Sequence, residues 1–150
     1  MTAPVFSQAL LPAFLPAQLA VSLGGAQRCV TRYQDAQTVW HAWGDADRPV
    51  VVLLHGGSGS WTHWVRNIAP LQDAGWRVLV PDLPGFGDSD LPLGCTDVNH
   101  LPEHLHAGLQ QLQVVGPVSL VGFSFGGMAA ALWLEAYPQD AQQLVLVGAP

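Results

Sequence analysis

Apolar residues follow two alternating patterns along the 150-residue chain. Short, mostly apolar runs rich in Val and Leu are typical of parallel strands buried on both faces, and they lie at residues 50–54, 76–80, 118–121 and 144–147. Between these runs, apolar residues recur every three or four positions and predict helices over about 61–74, 101–112 and 125–137. Strands that alternate with helices predict an α/β protein with a mostly parallel sheet and helices on both faces.

The segment before these runs has a different pattern. Residues 29–43 alternate in character and predict a pair of short edge strands that turn around Asp35. We therefore divide the chain into an N-terminal extension, residues 1–28, and a core domain, residues 29–150.

Two uncharged stretches raise the question of a leader or a membrane span. Residues 1–27 contain no Lys or Arg, and Pro12 and Pro16 interrupt their apolar run, which disfavours a secretory signal peptide. Glutamine, proline and glycine residues divide the stretch 107–134, which fits a strand, a turn and a buried helix better than a membrane span.

The charge and cysteine content narrow the function classes. Five Lys and Arg residues against eleven Asp and Glu give a net charge of -6, and the absence of a basic cluster argues against nucleic-acid binding. Cys29 and Cys95 have neither disulfide-framework nor zinc-site spacing, so we expect free thiols. These features favour a cytoplasmic location.

The strongest chemical signal is the sequence G-F-S-F-G-G at residues 122–127. It matches G-x-S-x-G between a β-branched strand and a helix, the context in which a serine hydroxyl projects from a sharp turn as a nucleophile. Side chains at Gly122 and Gly126 would collide with the neighbouring strand and helix. We predict that Ser124 is a catalytic nucleophile; the alternative is an ordinary turn or capping serine.

A second glycine-rich segment follows the strand at 50–54. His55, Gly56 and Gly57 begin a flexible loop whose backbone can direct an N–H group toward a developing oxyanion. We predict the N–H groups of Gly57 and Phe125 as the two oxyanion donors. The alternative is a plain glycine-rich connection between a strand and a helix.

With the loop D-L-P-G-F-G-D-S at residues 82–89, these two segments resemble the α/β-hydrolase superfamily over residues 29–150. The resemblance implies a sheet whose second strand is antiparallel, loops braced by His55 and Asp82, and a lid after the strand that ends near Pro150. Since the nucleophile position is Ser and not Asp, it points away from haloalkane dehalogenases and epoxide hydrolases.

The chain departs from the family in its triad. The family order is Ser, then Asp or Glu, then His, yet no histidine follows His106. The acids after Ser124 are Glu135 and Asp140, which we expect to face solvent. We therefore interpret residues 29–150 as an incomplete core that lacks the lid and the C-terminal strands, and we expect its far sheet edge to be exposed.

Two internal substitutes for the missing groups remain as alternatives. His55 could act as the general base, although loop bracing is the preferred interpretation. A histidine-rich group could bind a metal, but Pro102 disturbs its helical spacing and a solvated helix start fits better; it comprises His100, Glu103, His104 and His106. We predict neither a metal nor a cofactor.

The sequence thus favours a serine hydrolase that cleaves a small-molecule ester or acyl substrate through an acyl-enzyme. Hydrolysis of carbon–carbon bonds in vinylogous diketones is an alternative on the same fold. A non-catalytic remnant or binding module is the alternative of another class. The sequence leaves the substrate and the oligomeric state open.

Overall fold

The computed structural model describes residues 5–13 and 15–149, which form one mixed sheet with helices on both faces. The strands are β1 Phe6–Gln8, β2 Gln27–Tyr33, β3 Ala36–Trp43, β4 Val50–Leu54, β5 Arg77–Pro81, β6 Val118–Phe123 and β7 Ala141–Val147. The helices are α1 Ala17–Ser22, α2 Val65–Asp73, α3 Leu101–Gln111 and α4 Phe125–Ala136, with 3₁₀ turns at Trp61–Trp64, Val98–His100 and Pro138–Asp140.

The strand order is β1-β2-β3-β5-β4-β6-β7. Strands β5, β4, β6 and β7 are parallel, whereas β3 is antiparallel to both β2 and β5. The predicted fold class is confirmed, including the antiparallel strand of the early hairpin. Because parallel strands end at the same edge, the loops after β4, β5 and β6 meet there.

The N-terminal segment contributes a further strand. β1 pairs antiparallel with β2, and Phe6 lies opposite Cys29 in that register. Leu23 and Ala26 are buried in the same hydrophobic cluster as Trp43. The boundary that we drew at residue 28 lies inside β2, which begins at Gln27. β1 was not predicted, because three residues are too few to show a period.

The unbroken apolar run of β4 is explained by burial on both faces of the sheet, as the sequence suggested. Val51 and Leu53 of β4 lie in the cluster that includes Ile68 of α2. Val52 and Leu54 lie in the cluster on the other face of the sheet, with residues of α3 and α4. Alternate side chains are therefore buried under opposite helix layers.

The helix after β4 begins after Ser60, as predicted, but its first turn is a 3₁₀ turn and not α-helix. The Ser60 hydroxyl accepts a hydrogen bond from the Thr62 N–H at 3.3 Å, which caps the 3₁₀ turn. The chain then continues into α2, and Gly75, with a φ of 89°, follows its end.

Strand β7 lies at the sheet edge and is poorly covered. Val145, Leu146 and Val147 are 51%, 50% and 44% exposed. Apolar side chains are thus open to solvent on both faces of β7, as expected for an exposed far edge. The expected start of a lid, near Pro150, lies outside the described residues.

Candidate active site

Ser124 occupies the turn between β6 and α4. Its φ of 51° and ψ of -117° form a conformation that costs a non-glycine residue about 1–3 kcal/mol and often occurs at functional sites. Hydrogen bonds fix the turn on both sides, since the Ser124 N–H donates to Val147 O at 2.9 Å and its carbonyl accepts from the Gly127 N–H at 2.8 Å. The partly exposed serine is therefore held in one strained backbone geometry.

Two glycines allow the turn to form. A Cβ atom on Gly122 would lie 2.5 Å from Gly126 O, and a Cβ on Gly126 would lie 2.3 Å from Leu54 O. Both obstacles are backbone atoms, which a side-chain rotation cannot move. The tight approach of α4 to the ends of β4 and β6 therefore requires glycine at both positions.

The two candidate oxyanion donors are neighbours. A Cβ on Gly57 would lie 3.7 Å from Phe125 Cβ, so the loop after β4 lies against the first residue of α4. Within the described residues, neither the Gly57 N–H nor the Phe125 N–H donates a hydrogen bond. Both groups remain available to an anion beside Ser124, at the positive end of the α4 dipole.

His55 ties two loops together. Its Nε2 accepts a hydrogen bond from the Leu83 N–H at 2.9 Å, which places the proton of the neutral ring on Nδ1. Nδ1–H then donates to Gly56 O at 2.8 Å. Burial of this inaccessible ring lowers the pKa of His55.

Asp82 braces the loop after β5. Its carboxylate accepts hydrogen bonds from the N–H groups of Trp61 at 2.8 Å and Asp88 at 3.0 Å. Its carbonyl accepts from the Ser89 hydroxyl at 2.6 Å. Since Asp82 is buried and its oxygens bond to backbone, the carboxylate organises loops and does not contact Ser124.

His63 reaches the site in a way that the sequence did not suggest. His63 lies within the helix predicted over about 61–74, and its Nδ1 accepts a hydrogen bond from the Gly56 N–H at 3.3 Å. Its ring centroid lies 5.9 Å from that of Phe123, the residue before Ser124. The sequence did contain one signal for this contact: His63 follows the Ser60 cap by three residues, and the first turn of a helix lies next to the loop that precedes it.

None of the six histidines is hydrogen-bonded to the Ser124 hydroxyl within the described residues. Both ring nitrogens of His55 bond to backbone, so the alternative in which His55 acts as the general base finds no free nitrogen. His41 is buried and stacks on Trp61 with ring centroids 4.8 Å apart. The serine therefore has no base in contact.

The structure corrects one expectation for the far end of α4. Asp140 does not face solvent: its side chain is 11% exposed and accepts hydrogen bonds from Trp133 Nε1 at 2.8 Å and His106 Nδ1 at 2.7 Å. The 3₁₀ turn after α4 returns the carboxylate to α3. Glu135 is exposed, as expected.

The prediction that the histidine-rich start of α3 is solvated is also wrong in part. His104 is 5% exposed and meets the edge of Tyr33, with ring centroids 5.0 Å apart. Burial lowers the pKa of His104. Among the described residues, no group of three His, Cys, Asp or Glu side chains has an arrangement that could hold a metal ion.

Two further observations concern the described part of the chain. Its helices include none that is long and apolar enough to cross a membrane. A cavity of about 660 Å³ lies between the N-terminal segment and Trp61, and its lining does not include Ser124. The cavity borders the Asp82 loop from the side of the N-terminal segment.

Comparison with known proteins gives consistent matches. Residues 49–150 match the family model described as alpha/beta hydrolase fold. The 2-hydroxy-6-oxo-6-phenylhexa-2,4-dienoate hydrolase of Comamonas testosteroni is 35% identical over 101 residues, which cover 65% of this chain and 35% of that protein. The chain thus spans about a third of that relative's length.

Two solved structures share the architecture. Wild-type Cfl2 from Burkholderia cenocepacia superposes with a TM-score of 0.81 and 28% identity, covering 98% of this chain and 46% of that one. The thioesterase domain from the curacin biosynthetic pathway superposes with a TM-score of 0.75 and 28% identity, covering 85% and 47%.

Proposed function

This chain belongs to the alpha/beta hydrolase family, and on that premise we propose that Ser124 is the nucleophile of a hydrolase. The observation that carries the proposal is the strained Ser124 backbone beside two unbonded N–H groups, those of Gly57 and Phe125. Strain that the surrounding hydrogen bonds maintain is typical of functional positions. The two N–H groups supply what acyl transfer needs next to a serine.

In the proposed reaction the Ser124 oxygen attacks a substrate carbonyl carbon, and the carbonyl oxygen becomes an oxyanion. The N–H groups of Gly57 and Phe125 bind that oxyanion. The tetrahedral species collapses to an acyl-enzyme as the bond to the leaving group breaks, and water then hydrolyses the acyl-enzyme. A general base must accept the serine proton and a general acid must protonate the leaving group.

The base and its acidic partner are absent from the contacts of Ser124 described above. The family order places both after the nucleophile, and this chain spans 35% of the length of its dienoate hydrolase relative. We infer that polypeptide beyond this sequence supplies them. In their absence the remaining rate would depend on the oxyanion hole and substrate binding.

The substrate class that the relative favours is a 2-hydroxy-6-oxo-dienoate, in which a carbon–carbon bond next to a ketone is hydrolysed. In this substrate the leaving group is a carbon: once the dienol has tautomerised to its 2-keto form, the electron pair of the breaking bond is delocalised into that keto group as a dienolate, which is then protonated. Aromatic rings lie near the serine, since Phe123 and Phe125 flank it and Phe86 lies 5.5 Å from Phe125 between ring centroids. Such rings suit a planar conjugated substrate.

Ester or thioester hydrolysis is the second candidate, which the similarity to a thioesterase domain favours. The same oxyanion geometry would serve it, because only the leaving group differs. A small-molecule substrate is proposed in both cases.

The test begins with a fluorophosphonate probe, which reacts with activated serines. We expect the natural gene product, which on this proposal includes the polypeptide that supplies the base, to be labelled and its Ser124→Ala variant to lose the label. Ser22→Ala, on exposed α1, is the matched control and should label like the parent chain. Equal labelling of the parent and Ser124→Ala would overturn the assignment.

The natural gene product is then assayed with a 2-hydroxy-6-oxo-dienoate and with an activated ester such as p-nitrophenyl acetate. A Ser124-dependent preference of about 100-fold or more in kcat/KM for the dienoate, about 2.7 kcal/mol, would support carbon–carbon hydrolysis. The reverse preference would support the ester alternative. Absence of both activities and of labelling would favour a non-catalytic binding module.

A further inference from the structure

His63 lies beside the loop that we propose as part of the oxyanion hole. It belongs to the 3₁₀ turn Trp61–Trp64 and is exposed, so burial of an apolar surface does not explain its position. Its Nδ1 accepts the hydrogen bond from the Gly56 N–H at 3.3 Å. A ring nitrogen that accepts carries no proton, so the neutral ring holds its proton on Nε2.

The hydrogen bond of His63 is one of two that fix the peptides on either side of the Gly56 Cα atom. The peptide before this atom presents the Gly56 N–H to His63. The peptide after it consists of the Gly56 carbonyl and the Gly57 N–H, and its carbonyl accepts the hydrogen bond from His55 at 2.8 Å. Since a peptide is planar, holding the Gly56 carbonyl sets the direction of the Gly57 N–H.

Sterics reinforce this arrangement. A Cβ on Gly59 would lie 2.2 Å from His63 Cε1, so the loop passes directly against the imidazole ring. A Cβ on Gly56 would lie 2.9 Å from the ring of Phe123. The His63 ring therefore lies in contact with the glycine-rich loop and next to the residue that precedes Ser124.

We propose that His63 is a positioning residue that holds the Gly56–Gly57 backbone in register with Ser124, and that it does so only while its imidazole is neutral. This inference rests on the proposed function, in which the Gly57 N–H binds the oxyanion. Protonation places hydrogens on both ring nitrogens and removes the acceptor for the Gly56 N–H. The titratable side chain beside the ring is His55, with centroids 6.0 Å apart.

His55 and His63 thus have different tasks. His55 is inaccessible to solvent, and burial lowers its pKa, so it remains neutral as the pH falls. His63 is exposed and bonds to the peptide on the other side of the Gly56 Cα atom. Loss of the His63 acceptor should therefore release the Gly56 N–H and leave the Gly56 carbonyl bound to His55.

The experiment combines amide NMR with serine labelling on the natural gene product, called the parent chain below. In the parent chain, the Gly56 amide resonance should shift with the same midpoint as the His63 ring protons, and the rate of fluorophosphonate labelling at Ser124 should fall with that midpoint. His63→Phe keeps an aromatic ring but removes the acceptor. We expect its Gly56 amide to exchange about tenfold faster and its labelling to slow about tenfold, a fraction of the loss caused by deleting an oxyanion donor.

His100→Phe, on the exposed turn before α3, is the matched control and should leave both readouts unchanged. A Gly56 amide that ignores the His63 titration and the His63→Phe substitution would overturn the inference, and the parent titration needs no variant to fold. If the amide responds but the natural gene product never labels at Ser124, the proposed function fails and the backbone contact stands.

Discussion

The two ends of helix α4 differ in the residue types that they bring together: a serine lies at the start, and a histidine–aspartate pair lies beyond the end. At its start, Ser124 is held in a strained turn and has no base in contact. Beyond its end, His106 and Asp140 form a hydrogen-bonded pair at 2.7 Å and have no serine or cysteine beside them in the described structure. The twelve residues of α4 separate the two groups by about 18 Å at 1.5 Å per residue.

This separation shows that residue types alone do not make a catalytic site. The pair at the far end has the hydrogen bond that orients a catalytic imidazole, but its other nitrogen contacts Gln110 at 3.0 Å and the ring stacks on Tyr137 at 3.9 Å. That pair joins α3 to the chain after α4. The strained turn is the region arranged for chemistry, and the far pair is arranged for stability.

The largest expected effect comes from closing the space at the start of α4. Gly126→Ala would place a Cβ 2.3 Å from Leu54 O, so the backbone must shift, and we expect a loss of about 3 kcal/mol in the free energy of unfolding. Fluorophosphonate labelling at Ser124 should disappear. Urea denaturation and labelling measure the two effects.

Gly57→Ala is the matched stability control for this prediction, because its Cβ would meet Phe125 Cβ at an ordinary 3.7 Å. Its free energy of unfolding should change by less than about 0.5 kcal/mol. Equal stability of Gly126→Ala and the parent chain would show that α4 is not held against β4 as described.

A smaller effect is expected at the other end. Asp140→Ala leaves the Trp133 indole and the His106 imidazole without their acceptor, which should cost about 2 kcal/mol of stability. The labelling rate of the folded protein at Ser124 should not change, because the pair is remote from the serine. Glu135→Ala, on the exposed face of α4, is the control and should be neutral. Loss of labelling in folded Asp140→Ala would contradict the proposed division between the two ends.

The smallest effect expected from a single group is a pH dependence of stability caused by each buried neutral histidine. Burial lowers the pKa of His55, His41 and His104 in the folded state, so the unfolded chain binds protons first as the pH falls through about 6.5. The free energy of unfolding should therefore decrease toward acid, by up to about 1.4 kcal/mol per pH unit for each such group, until its folded-state pKa is reached.

Urea denaturation at pH 7.5, 6.5 and 5.5 tests this sign. His104→Phe removes one buried imidazole and should reduce the slope, whereas the exposed His100→Phe should not. Stability that is constant or rises between pH 7.5 and 5.5 would contradict the prediction.

The sequence predicted the main elements because their patterns are local. Val51 to Leu54 of the apolar run at β4 are each buried under one helix layer or the other, so the run itself indicates a central strand. β1 was missed because three residues carry no readable period. The exposure predicted for Asp140 was wrong because a 3₁₀ turn, which local polarity does not reveal, returns its carboxylate to α3.

The candidate site divides in the same way. The G-x-S-x-G motif between a strand and a helix marked Ser124, since steric demands on a sharp turn restrict the residues that can form it. The contact between His63 and Gly56 was missed, because it joins a helix start to a loop seven residues earlier and depends on how that loop folds back.

By itself, the sequence determined the central strands, the helices that follow them and the turn that holds Ser124, since these follow from apolar periodicity and from the space that glycine leaves. Only the tertiary structure decided which polar groups meet: Gly57 beside Phe125, His63 on Gly56, and His106 with Asp140 at the far end of α4. The physical reason is the range of each interaction. Periodicity reflects burial of neighbouring residues along the chain, whereas hydrogen bonds between loops depend on the relative placement of elements distant in sequence.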